Sequence, residues 1–182
     1  MSDFEFYLRK AGDYHGHICS GIALGTKMTL AAMKALGLDP AVKNKNLIVY
    51  TEIDRCMTDA VQAITGCSLG HRSLKHIDFG KFAATFVNLD TGKALRATIQ
   101  ESFDSHGSIE EVSRKIELTP DSDMVILQEV AVDIPKTDLP GHPQKRAYCS
   151  ICGERIMDGR EINRDEQTIC RACAGSKYYR EK

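Results

Sequence analysis

Cys149, Cys152, Cys170 and Cys173 stand in the pattern C-x2-C-x17-C-x2-C. No other feature constrains the C-terminal end of the chain so tightly. Each C-x-x-C turn aims two thiolates at one point, and two such turns complete a tetrahedral sulfur shell, which suits a d¹⁰ ion without geometric preferences of its own, such as Zn²⁺. The 17 intervening residues fall in the range of paired zinc knuckles. Four protein ligands leave no open coordination position, so this zinc is expected to hold structure and not to perform chemistry. The 37 residues 146–182 are too few to build an adequate core alone, so the module needs its metal or a partner to fold.

Composition narrows the remaining classes. Hydrophobic residues make up 42% and charged residues 27% of the 182 residues, enough for an ordinary globular core. The formal net charge is -1, which makes no global case for nucleic acid or an anionic membrane. Residues 146–182 carry eight Lys or Arg against six Asp or Glu, weak support for a nucleic-acid-binding finger. No apolar run approaches the roughly 18 residues needed to span a bilayer, and the opening MSDFEFYLRKAG lacks the basic-then-apolar order of a signal peptide. Seven cysteines therefore read as reduced thiols and metal ligands in a cytoplasmic protein.

Three of the five prolines lie between Asp133 and Lys145, which marks 133–145 as a semi-rigid linker between a body, 1–132, and the cysteine module, 146–182. In the body, Ser20 is placed to cap a helix running to Leu36, with Gly37 as its stop. That helix is apolar nearly all round and is expected to be central and buried. Residues 46–53 read as a strand, Thr58–Ile64 as a short helix, and 82–88 with 94–99 as a hairpin. Ser108 and Glu111 form a capping box for a helix to Glu117, and Met124–Val132 reads as a strand. This order predicts an α+β body with a largely antiparallel sheet around a buried central helix.

The chemistry of the body is sought at His15-Gly-His17-Ile-Cys19, directly before the first predicted helix. An extended segment would project residues 15, 17 and 19 to one side, and a thiol at a helix N-terminus is favoured as thiolate. Cys56 is a second thiol at a helix start, with Asp59 one turn on. Cys67 closes the same helix at its other end, about 16 Å away along a straight helix, so it is either a core thiol or reaches a site from a second copy of the chain. Lys81, beside Gly80, is a candidate anion contact.

Taken together, Gly16-His17-Ile-Cys19-Ser-Gly21 with Leu24-Gly25, Arg55-Cys56-Met-Thr-Asp59-Ala60, Thr65-Gly66-Cys67-Ser-Leu-Gly70 and Gly80-Lys81 resemble the FmdE family, named for a component of formylmethanofuran dehydrogenase. The tail cysteines fit the zinc-finger extension of many members. The resemblance implies an α+β core with a treble-clef or ribbon-like finger, and homodimers in which fingers exchange. It implies a common cleft lined by His17, Cys19, Cys56, Asp59, Cys67 and Lys81, with metal at His17 and Cys19 and with Lys81 toward a cofactor. It also implies association with a molybdenum or tungsten enzyme complex, an oxidoreductase whose pterin-binding catalytic component is not this short chain. The chain departs from the family pattern at Ser20, where proline is usual, and at Gly70-His71-Arg72-Ser73, where Gly-Lys-rich sequence is usual.

Three functions follow as expectations. The first is a metal-binding accessory protein with structural zinc in the finger and a second Cys/His metal site in the body, drawn from His17, Cys19, Cys56 and Cys67. The second is a small enzyme with Cys19 as nucleophile, His17 or His15 as base and Asp59 as orienter. The third is a regulatory module whose finger, similar to those of DksA/TraR-type transcription factors, binds nucleic acid or RNA polymerase. Near-neutral charge and the lack of an accompanying coiled coil argue against the third.

Overall fold

Asp3–His15 forms the first helix, α1, which the mostly polar start of the chain disguises. Phe4, Tyr7, Leu8 and Ala11 supply its buried stripe at i, i+3, i+4 and i+7. The Ser2 hydroxyl caps it by accepting from the Glu5 N–H, and Gly16 ends it in the left-handed region at φ 96°. Helix α2, Ser20–Ala35, buries Ile22, Ala23, Met28, Ala31 and Ala32 on successive faces, as expected of a central helix. Its cap is Cys19, in extended conformation with no side-chain capping bond, and not Ser20, which is already helical.

Strand β1, Leu47–Thr51, is followed by α3, Cys56–Thr65, then β2, Leu74–His76, β3, Ala83–Asn88, and β4, Ala94–Ile99. Helices α4, Ile109–Leu118, and α5, Asp121–Met124, lead into β5, Val125–Val130. The sheet runs β2-β1-β3-β4-β5. Only the β1–β2 pair is parallel, with Val49 opposite Leu74, because α3 carries the chain back between them. The other pairs are antiparallel, with Val49 opposite Phe86 and Ala84 opposite Ala97. Ser108 and Glu111 form the reciprocal capping box at α4. The body is thus α+β, with a mainly antiparallel sheet and a buried α2, in a core centred on Phe86, Ile22, Met28, Met57 and Ile116.

The computed structural model describes residues 1–100, 103 and 106–180, in two units, Met1–Asp133 and Ile134–Lys182. In the second unit β6, Arg146–Tyr148, pairs with β7, Arg155–Met157, and β8, Ile162–Arg164, pairs with β9, Gln167–Ile169. Both turn residues of the second hairpin, Asp165 and Glu166, have positive φ, the signature of a tight two-residue turn. Among the described residues from 146 onward no helix is assigned, and a hydrogen-bonded turn follows Cys170, where the Ala174 N–H donates to the Cys170 carbonyl at 2.9 Å. The proline-rich segment folds onto this unit: the Gln144 N–H donates to Asp158 Oδ1 at 2.8 Å, and Arg160 Nη2 donates to Asp138 Oδ1 at 3.0 Å. No helix among the described residues is long and apolar enough to cross a membrane.

Candidate metal centres

In the finger, the four cysteine sulfurs lie within 4.8 Å of one another, and Cys152 Sγ is 4.0 Å from Cys170 Sγ. A zinc ion bound tetrahedrally at about 2.3 Å to each sulfur sets neighbouring sulfurs about 3.8 Å apart, so the shell needs only slight contraction. Backbone turns aim the thiols. The Gly153 N–H donates to the Cys149 carbonyl at 2.9 Å, and the Cys149 N–H donates to the Glu154 carbonyl at 2.9 Å. The N–H of Cys170 donates to Cys149 Sγ, and that of Cys173 to Cys170 Sγ, each at 3.3 Å.

These contacts tune the thiols in opposite directions. N–H groups of Cys152 and then Cys170 pull Cys149 down to about 6, whereas the Cys170 hydrogen bond and then burial push Cys173 up to about 12. The physical reading is that one thiolate forms readily among four crowded sulfurs and resists the ionisation of Cys152 and Cys173. A dication at the centre removes that resistance. Ile156 and Ile169 pack beside Cys149 and form the small apolar floor of the shell.

The body brings together a second group. Ligand atoms of His15, His17 and Cys19 all lie within 4.8 Å of one another. They do not converge by alternation along an extended segment, as the sequence suggests. His15 is the last residue of α1, and the left-handed Gly16 reverses the chain so that His17 returns beside it. The two rings sit with centroids 4.7 Å apart. The return is held down at Gly12, where a Cβ would meet Ile18 Cγ1 at 2.5 Å. Only a glycine lets Ile18 lie that close over α1. Gly12 is a determinant that the sequence alone hides, because its role depends on the reversal.

Helix α3 supplies the other half of the site. His15 Nδ1 is 2.7 Å from Asp59 Oδ2. An ionised carboxylate only accepts, so Nδ1 carries the proton, and in the neutral ring Nε2 is the nitrogen with a free lone pair. Gln62 Nε2 steadies the carboxylate by donating to Oδ1 at 3.2 Å. Cys56, the first residue of α3, lies beside Cys19, and burial first, then the neighbouring Cys19 thiol, raises its pKa. The approach depends on two glycines one turn apart on α2. A Cβ at Gly25 would come 2.9 Å from Met57 Cα, and one at Gly21 would come 3.1 Å from Cys56 Cβ and 3.7 Å from Cys19 Sγ. Glycine at both positions allows the N-termini of α2 and α3 to meet.

Two sequence candidates lie apart from this cluster. Cys67 is 2% exposed in the main apolar core, and its thiol donates to the Leu47 carbonyl at 3.5 Å. Burial pushes its pKa up, as in an inert core thiol. Lys81 stands in the loop before β3, with Nζ 6.0 Å from the Phe79 ring centroid, and its N–H donates to the Glu52 carbonyl at 3.1 Å. Glu52 itself is held by Arg96 through two bonds of 2.6 and 2.7 Å. In the neighbouring loop, His71 pairs with Ser68, an ordinary turn contact.

Comparison with known proteins agrees with both halves of this description. Residues 14–132 match the family model described as FmdE, molybdenum formylmethanofuran dehydrogenase operon. Residues 144–179 match the prokaryotic dksA/traR C4-type zinc finger. A curated protein of Archaeoglobus fulgidus, named a probable S-adenosyl-L-methionine-binding protein, is 30% identical over 94% of this chain. The match covers 53% of that protein, so the chain spans about half the length of this relative. The crystal structure of an FmdE-like protein of tungsten formylmethanofuran dehydrogenase type, from Syntrophus aciditrophicus, superposes with a TM-score of 0.65 at 24% identity. It covers 97% of this chain and 94% of the other, a likeness of fold.

Proposed function

The chain belongs to the FmdE family, a metal-binding relative with a C4 zinc-finger-type site, and from that footing we propose that it is a two-metal accessory protein. In this reading the finger holds a structural zinc through Cys149, Cys152, Cys170 and Cys173. The body holds a second ion through His15, His17 and Cys19, with Cys56 beside them. The observation that carries the reading is the convergence of three ligand atoms within 4.8 Å, with Asp59 fixing the tautomer of His15.

That arrangement fits a metal on chemical grounds. A carboxylate that takes the Nδ1 proton orients a ligating histidine and raises the basicity of Nε2. Imidazole with thiolate suits zinc, nickel, copper and iron over the hard cations. Three protein ligands also leave room for an exogenous one, unlike the closed finger. His17 is exposed and Cys19 half-buried, so a ligand from solvent can reach the ion. The family supports a partnership with a molybdenum or tungsten enzyme complex and a homodimer with exchanged fingers, and seven cysteines read as thiols and metal ligands suit the cytoplasm. Light scattering of the purified chain tests the dimer.

The deciding experiment measures bound metal on the full chain. The wild type should carry two ions and Cys19→Ser should carry one. A single ion in both proteins, removed by Cys149→Ser, would overturn the second site.

The Asp59–His15 contact supports one other reading, in which Cys19 is a nucleophile served by His15 as base. Metal separates the two. If the thiolate is a ligand, added zinc suppresses alkylation of Cys19 by iodoacetamide. If it is a free nucleophile, zinc leaves the rate unchanged.

A further inference from the structure

We propose that Cys19 and Cys56 form a reversible disulfide that empties the body metal site, so that metal binding there is under thiol redox control. This rests on the two-metal reading above and adds a covalent state to it. The pair is brought together by two separate elements. Cys19 is the extended residue that caps α2, and Cys56 opens α3. Gly21 is the window between them: a Cβ there would be 3.1 Å from Cys56 Cβ, 3.6 Å from Cys56 Sγ and 3.7 Å from Cys19 Sγ. With no side chain in that space, both sulfurs border the same gap beside α2. Both are free and half-buried, whereas Cys67 is sealed in the core. A disulfide needs Cβ atoms about 3.8 Å apart and sulfurs at about 2.05 Å, and the gap at Gly21 leaves the two side chains room to turn toward each other.

The consequence for the metal follows from the ligand set. Cys19 is the one sulfur among the three converging ligands. Once it is bonded to Cys56 Sγ it is no longer an anionic thiolate and is a poor ligand, and two imidazoles remain. The chemistry balances with a small-molecule disulfide as oxidant. The Cys19 thiolate attacks one sulfur of RSSR, forming the mixed disulfide and expelling RS⁻. The Cys56 thiolate then attacks Cys19 Sγ and expels the second RS⁻. The protein loses two electrons and two protons, and RSSR becomes two RSH. Cys56 is thereby the resolving thiol, which accounts for a cysteine beside the cluster but outside its tight triad.

The test uses the full chain, metal-free and metal-loaded, with oxidised glutathione as probe and peptide mass mapping after alkylation. The expected product from metal-free protein is a Cys19–Cys56 crosslinked peptide, reversed by dithiothreitol. In loaded protein, crosslinking should accompany loss of the body ion to a chromogenic chelator, about ten-fold or more faster than without oxidant. Cys56→Ser should stop at the glutathione adduct on Cys19. Gly21→Val, which fills the window, should suppress the crosslink while both thiols remain alkylatable. Wild-type protein that binds the second ion yet gives only glutathione adducts would overturn the proposal and leave the metal site standing. Wild-type protein that crosslinks but never binds a second ion would overturn the two-metal reading and the metal-release half of this one.

Discussion

Ile156 and Ile169 are nearly all the buried aliphatic surface of the finger, whereas the body packs Phe86, Ile22, Met28, Ile48 and Ile116 with no solvent exposure. Both regions hold a cluster of soft ligands, but the causal order differs. In the finger four sulfurs, joined through a metal, substitute for a core that 37 residues are too few to provide. In the body a complete core already exists, and its packing brings the ends of α1, α2 and α3 to one place. The ligands there are cargo of the fold and not its cause. A metal is therefore structural where the apolar content is poor, and free for other work where it is rich.

The strongest way to break this contrast is Cys149→Ser. Structural zinc contributes about 10–16 kcal/mol of apparent binding energy in isolated fingers, so losing one of four thiolates should unfold residues 146–180 locally. Limited proteolysis should then cut within the finger, while the thermal unfolding of the body stays as in the wild type. Acid should act in the same sense. Cys149 sits at about 6 against an ordinary 9.0, so it binds its proton more weakly in the folded finger than in the unfolded chain. The stability it contributes is complete above the ordinary value and is lost as pH falls through about 6. Protons compete with the metal for the thiolates, so a pH titration should show the finger releasing its ion on acidification.

The reciprocal perturbation is Gly25→Ala. The added methyl meets Met57 Cα at 2.9 Å, and that atom is backbone and cannot swing aside. Overpacking of this kind destabilises by about 1–3 kcal/mol. Denaturant unfolding should show this loss in the body's transition, together with weaker body metal binding, because α2 and α3 must separate. Finger metal content should not change. If Gly25→Ala left body stability intact but abolished the second ion, the body's cluster would be tuned by local geometry and not by the core.

What a bare sequence discloses depends on the same contrast. The finger's ligands are set by spacing along the chain, so Cys149, Cys152, Cys170 and Cys173 are visible as a set, and so is Ser108 with Glu111. The long apolar α2 and the β3–β4 hairpin are equally legible. The body cluster is set by tertiary contacts. Sequence proximity points to His15, His17 and Cys19 for the wrong reason, since an extended segment is replaced by a helix end and a left-handed glycine. Helix length favours Cys56 over Cys67 as the companion of Cys19, but only the packing of α3 on α2 shows which end of α3 meets the cluster. Helix α1 escapes notice because its apolar stripe is diluted by charged neighbours, and β2 because three residues carry no readable period.

A subtler perturbation tests whether the body truly orients its ligands. Asp59→Asn keeps an acceptor near His15 Nδ1 but removes the charge that fixes the tautomer and strengthens Nε2. Loss of such an outer partner lowers metal affinity by about 10–100-fold. Competition against a chromogenic chelator should show that drop for the body ion alone. Equal weakening of both ions would mean that the two clusters are not independent, and the contrast would need revision.

The smallest effect isolates local stability from both clusters. Ser108→Ala removes the hydroxyl that accepts from the Glu111 N–H, one half of the reciprocal cap on α4. Cap removal destabilises by about 1 kcal/mol. Helix α4 buries only Val112 and Ile116 against the core, so this loss should appear as a modest shift in the body's unfolding midpoint. Neither ion should weaken, because no ligand or orienting residue lies on α4. If the body ion weakened in step with this remote stability loss, the cluster would be sensing the global stability of the body and not the geometry of three helix ends.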